Sequence, residues 1–73
     1  MHSKYAEDTR KAINDYWREY HQPPTIREVM AMANIPTPSH AHMIIRGLPN
    51  IRIGKHGKPI PAWVDELFER ETR

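Results

Sequence analysis

Proline decides where this chain can be helical. None occurs before residue 23, and then seven follow, at 23, 24, 36, 38, 49, 59 and 61. Each removes a backbone donor, obstructs the preceding turn and pushes the residue before it away from the α region. Lys4 to Tyr20 contains neither proline nor glycine. Its apolar and small positions Ala6, Thr9, Ile13, Tyr16, Trp17 and Tyr20 repeat at three-and-four spacing, with Arg10, Lys11, Asp15 and Arg18 on the opposite face. This pattern predicts a first amphipathic helix over about residues 4–20, ended by His21-Gln22-Pro23-Pro24.

Behind the first proline pair, Thr25-Ile26-Arg27-Glu28 has the form of a capping box, with Thr25 accepting from a first-turn amide and Glu28 reaching back to the Thr25 amide. A short second helix is expected over about residues 25–33, buried through Ile26, Val29, Met30 and Ala33, with Asn34 in a left-handed turn. Thr37 as N-cap, Pro38 at the first helical position and Gly47 as terminator predict a third helix over about 38–47. Ala41, Ile44, Ile45 and Leu48 would form its buried stripe, leaving Ser39, His40, His42, Met43 and Arg46 outward. Ile51-Arg52-Ile53 alternates like a half-buried strand, 54–58 supplies a basic turn, and Pro59-Ile60-Pro61 suits only an edge strand. A last helix is expected over about 62–71, with Trp63, Val64, Leu67 and Phe68 apolar. The predicted fold is mainly α with a small β-hairpin at 51–61. It is one domain spanning residues 1–73, since a chain this short buries only about 60% of the surface its unfolded form exposes.

Charge is distributed unevenly. Residues 1–28 hold five bases against five acids, whereas residues 29–64 hold no acid at all, only Arg46, Arg52, Lys55 and Lys58. The segment 65–73 is acidic, with four acids against Arg70 and Arg73. The positive field is thus confined to the third helix and the hairpin, a candidate footprint for a polyanion, although a solvated basic face reads the same way.

Several classes of function are not expected. The chain has no cysteine, hence no disulfide or thiolate ligand, which suits a reducing, cytoplasmic setting. No apolar run is long enough to span a membrane, and nothing near Met1 resembles a signal peptide. His40 and His42 are separated by about 200° of helical rotation and diverge, so no metal site is expected. The hydroxyls of Ser3, Thr9, Thr25, Thr37, Ser39 and Thr72 form no pairing with a base and an orienting acid, and the three glycines form no phosphate loop. No catalytic residue, cofactor or small-molecule substrate is expected; the chain does not read as an enzyme.

Three helices followed by a basic hairpin and a C-terminal helix predict a winged helix-turn-helix. His21-Gln22-Pro23-Pro24-Thr25-Ile26-Arg27-Glu28 and Asn34-Ile35-Pro36-Thr37-Pro38-Ser39 together resemble the N-terminal DNA-binding domain of LexA-type repressors, over roughly residues 5–53. In that family a Pro-Pro-Thr-x-x-Glu-like start opens the second helix and a Ser/Thr-Pro pair opens the recognition helix. Met30 stands where the family prefers alanine and Asn34 where glycine is usual. His42 and Met43 replace other base-reading side chains, so the target would not be the SOS operator. No counterpart of the family's autocleavage and dimerisation domain with its Ser-Lys dyad is present, so self-cleavage is not expected.

The resemblance implies sequence-specific binding of double-stranded DNA by a small prokaryotic or phage transcription regulator, such as a repressor. Ser39, His40, His42 and Met43 would read bases from the major groove. Thr25, Thr37, Arg46, Arg52, Lys55, His56 and Lys58 would hold the backbone. Each also has a plain structural role as a solvated helix residue, a cap or a turn. A single module offers only about 600–1,000 Å² of interface, so a homodimer through Trp63, Leu67 and Phe68 is expected. Two alternatives stand beside this reading. One is an excisionase-like architectural DNA-binding protein; the other is a protein-interaction module, such as a phage-encoded inhibitor of a host protein.

Overall fold

The computed structural model describes residues 4–71; the hydroxyls of Ser3 and Thr72 lie outside the described residues. Four helices, α1 (Lys4–Tyr20), α2 (Ile26–Ala33), α3 (Pro38–Gly47) and α4 (Ala62–Glu71), accompany a two-stranded antiparallel sheet that packs on α1, α3 and α4. The strands are β1 (Ile51–Ile53) and β2 (Pro59–Pro61), separated by a 3₁₀ turn at Lys55–Gly57. The fold is mainly helical with a small hairpin, as the pattern predicts.

Local chemistry sets the ends of these elements. Glu28 N–H donates to Thr25 Oγ1 at 3.2 Å and Thr25 N–H donates to Glu28 Oε1 at 2.9 Å, so both halves of the capping box form. Thr25 is therefore the cap and not the first residue of α2. Asn34 closes α2 in the left-handed region (φ 56°, ψ 42°), and its neighbour Ile35 donates to the Met30 carbonyl before turning into the core. Three residues later Thr37 caps α3, accepting from His40 N–H at 3.2 Å, with Pro38 behind it where its missing donor costs nothing.

Two expected ends are reached differently. His21, at φ 57°, turns the chain out of α1 before the prolines arrive. Gly47 is the last residue of α3 and does not use a left-handed conformation; Leu48 leaves as extended chain, pulled into the core, and the left-handed residue is Asn50.

The core is a single cluster of Ile13 and Trp17 from α1, Val29 and Ala33 from α2, Ile35, Ala41 and Ile45 from α3, Leu48, and Val64 from α4. Ile26, Met30 and Ile44 pack against it but remain half-buried. Tyr20, expected on the buried face, is exposed, because α1 ends beyond the body; its ring lies 4.5 Å from that of Tyr16 instead.

Proline is tolerated in β2 because of register. Ile51 faces Pro61, Arg52 faces Ile60 and Ile53 faces Pro59. Hydrogen bonds run from Ala62 to Asn50 and from Gly54 to Lys58, each 2.8 Å. In an antiparallel ladder, bonded and non-bonded pairs alternate, so Arg52 and Ile60 form the bonded pair between them. Pro59 and Pro61 thus fall at the pairs that exchange no bonds, their backbone directed away from β1. Both are fully buried against the helices. The Pro59 carbonyl, turned away from β1, accepts the Trp17 indole N–H at 3.0 Å across 42 residues of sequence. That bond seats the hairpin on α1.

Replacing Trp17 by Phe keeps an aromatic ring but orphans the buried Pro59 carbonyl. The expected loss is about 1–3 kcal/mol, read as a melting temperature lower by about 4–8 °C per kcal/mol. Thr9 should behave in the opposite sense. It is fully buried and its hydroxyl has no hydrogen-bond partner among the described residues. Thr9→Val keeps the shape and removes the orphaned hydroxyl, so calorimetry should show stability raised by about 1 kcal/mol.

Candidate nucleic-acid interface

The outward face of α3 follows from helical phase. Ala41 and Ile45 are fully buried, which turns Ser39, Met43, Arg46 and Gly47 directly away from the core, all of them exposed. Met43, at 71% exposure, is the most exposed large apolar side chain among the described residues. His40 and His42 sit on the two flanks of this face and are half-buried. The structure thus brings Ser39, Met43 and Arg46 together and separates the two histidines, as their spacing requires.

His40 has a neighbour that sequence reasoning missed. The Tyr5 ring lies edge-on to the imidazole, with centroids 5.3 Å apart and planes inclined at 72°. Tyr5 is itself 37% exposed, so the start of α1 adds a phenol to the rim of the α3 face. Thirty-five positions separate the two residues, and no local pattern pairs them.

The four bases of the acid-free segment meet different surroundings. Arg52 is held by a fork to Asp65 at the start of α4, with Nε to Oδ2 and Nη2 to Oδ1 both at 2.8 Å. This bidentate bond holds the Asp65 carboxyl below the usual carboxylate range and raises the Arg52 guanidinium. Arg52, expected on a phosphate, therefore already has an anion. Lys58 is near enough to Glu28 to favour its ionised form. Among the described residues, neither Arg46 nor Lys55 has an acid within ion-pair distance. Within residues 29–64, the positive charge open to an external anion is thus concentrated at the end of α3 and the hairpin tip.

The tip owes its shape to two consecutive left-handed residues, His56 (φ 63°) and Gly57 (φ 70°). They push Lys55 and His56 out to solvent while Gly54 N–H closes the loop onto Lys58. Gly54 is tight for a different reason: a β-carbon there would press on the Ile60 side chain, which would have to shift to admit it.

Thr25 and Thr37 are both exposed, and both hydroxyls are already used as caps. At Thr25 the Glu28 carboxylate also takes the backbone amide, which puts negative charge where a phosphate would have to sit. The Tyr16 hydroxyl donates to that same carboxylate, lowering the Glu28 pKa and raising that of Tyr16. Among the described residues no three His, Asp or Glu side chains gather as a metal site, and no helix is long and apolar enough to cross a membrane.

No family model matches the chain, and no curated protein or solved structure is significantly similar to it.

The two carboxylates have lowered folded-state pKa values, so their stabilisation is present above the unfolded carboxylate range near pH 4 and is lost as pH falls through their folded values. Acid titration of stability should therefore show a decline below about pH 4 that is shallower in Asp65→Asn and Glu28→Gln. Equal acid slopes in wild type and both variants would contradict these assignments.

Proposed function

We propose that this chain binds double-stranded DNA as a winged helix-turn-helix, a small cytoplasmic transcription regulator of prokaryotic or phage type. In this reading α3 lies in a major groove and the hairpin is the wing. The observation that carries the reading is the outward face of α3: Ser39, Met43 and Arg46 in one exposed row, with no acid anywhere in residues 29–64. A helix that presents only small, apolar, imidazole and cationic groups suits a surface of base edges bordered by phosphates.

Roles follow from position. Ser39 donates to or accepts from base edges, and Met43 packs on a thymine methyl. His40 and His42 reach the two walls of the groove from the flanks of the helix. Arg46 and Lys55, with no acidic neighbour among the described residues, neutralise phosphates, with His56 beside Lys55 at the tip. The order of Pro-Pro-Thr, Thr-Pro and basic hairpin, which resembles LexA-type repressors, supports the same arrangement.

One observation favours the second reading, a protein-binding module that has kept this shape. The centre of the α3 face is Met43, an apolar side chain, and the first turn of α3 has neither Arg nor Lys.

Salt separates the two. Fluorescence anisotropy with a random duplex of about 30 base pairs should show binding that weakens steeply between about 50 and 200 mM salt, with a slope near −0.9 for each phosphate neutralised. Arg46→Ala/Lys55→Ala should lose most of that binding and flatten the slope, while Asp65→Asn, which frees Arg52, should steepen it by about one phosphate. A folded protein that does not bind the duplex at low salt would overturn the DNA reading in favour of a protein partner.

A further inference from the structure

The start of α1 reaches the rim of the outward face of α3. Tyr5, Thr9 and Ile13 stand four residues apart and share one row of α1. Thr9 and Ile13 are fully buried, and the row leaves the body at Tyr5, which is 37% exposed. Burial of the row below it fixes where the Tyr5 ring emerges. It emerges edge-on to His40, with centroids 5.3 Å apart and planes inclined at 72°, within the range that aromatic pairs prefer.

His40 is held through its backbone and through its ring. Its N–H donates to Thr37 Oγ1 at 3.2 Å, which places it in the first turn of α3. That is the turn from which a helix lying in a major groove reaches base edges. Beyond the β-carbon a solvated imidazole is loosely determined, because its second torsion is broad. The Tyr5 ring limits that freedom. His42, on the other flank, is also half-buried, but among the described residues no aromatic ring lies against it. The two histidines, alike in type and burial class, therefore differ in how firmly their rings are set.

We infer that Tyr5 is a positioning residue for His40, its ring setting the imidazole plane from which His40 recognises one base pair, an inference that rests on the proposed DNA reading. A ring N–H that donates to a purine acceptor discriminates best when its direction is fixed before contact. An imidazole free to turn finds acceptors on more than one base, and it loses that freedom only on binding. The contact is made by the rings and the Tyr5 hydroxyl takes no part in it, so phenylalanine serves at this position. Base reading by α3 thus depends on a residue of α1, outside the two helices that form the helix-turn-helix.

Two measurements test this. In the free protein, nuclear Overhauser contacts should join the Tyr5 and His40 ring protons, and they should persist in Tyr5→Phe. Duplexes selected by the wild type from a random-sequence library then serve as the probe for base preference in each variant. His40→Ala should lower the preference at one position of the selected site about fivefold or more. Tyr5→Ala should lower it at that same position, and Tyr5→Ala/His40→Ala no further than His40→Ala alone. Tyr5→Phe should keep the wild-type preference, and the position that responds to His42→Ala should not respond to Tyr5→Ala. A Tyr5 that only anchored the first turn of α1 would weaken binding to all sequences alike and leave these preferences unchanged. That outcome overturns the inference. So does the absence of the ring contact in solution, a His40→Ala variant with unchanged preferences, or a Tyr5→Phe variant that behaves like Tyr5→Ala. In each of these cases the wild type still binds its selected duplex, and the DNA reading stands. A folded wild type that selects no duplex overturns both.

Discussion

The bond from the Trp17 indole to the Pro59 carbonyl ties the two halves of this structure together. β2 has proline at both ends, so the strand makes no sheet bonds on the side away from β1, and the Pro59 carbonyl points there into a buried space. Without a donor it would cost about 1–3 kcal/mol, a large share of the stability of so small a domain. Trp17 supplies the donor and, in the same ring, apolar surface that joins Ile13 and the core. The hairpin therefore sits at one fixed place on α1. Because α1 also packs against α2 and α3, the angle between the hairpin tip and the outward face of α3 is set by the same contact.

A second chain of contacts does for α4 what Trp17 does for the hairpin. The Asn14 side chain donates to the Arg10 carbonyl on its own helix and accepts from Trp63, while Arg52 and Asp65 join β1 to α4 on the other side. The consequence is electrostatic as well as mechanical. Asp65, the first acid after the long acid-free segment, folds back onto that segment and neutralises one of its four bases. The pair is exposed, so its contribution to stability is small. Its larger effect is on the field, which it shifts away from the strand and towards Arg46 and Lys55.

Much of this was legible because the sequence marks its own boundaries. The proline-free run, the Thr25–Glu28 box, Asn34 and the Thr37-Pro38 pair are local signals, and the element ends they predict lie at or within a residue of those observed. The outward face of α3 follows from helical phase, which places Ser39, Met43 and Arg46 in the expected outward set; His40 and His42, expected with them, lie half-buried on its flanks. Long-range pairings had no such signal. Nothing near Tyr5 points to His40, nothing near Arg52 points to Asp65, and the register that spares Pro59 and Pro61 becomes visible only when β1 is laid beside them. Tyr20 departs from its expected burial for a related reason: it has the right residue type, but the limit of the body beyond Trp17 is a tertiary fact.

The arrangement divides the surface by chemistry. One side, built from α3 and the hairpin tip, carries no acid. The other, built from α1 and α4, keeps charges of both signs together with the apolar stripe of Leu67 and Phe68. Like-signed surfaces repel their own copies and attract an opposite polyelectrolyte, whereas mixed surfaces with exposed apolar side chains suit association between proteins. A chain of this size has room for two such faces only if its core is spent sparingly. The hairpin is held by the Trp17 indole bond, the buried Pro59 and Pro61 and the Arg52–Asp65 fork, and α4 by its first turn, which leaves both faces exposed.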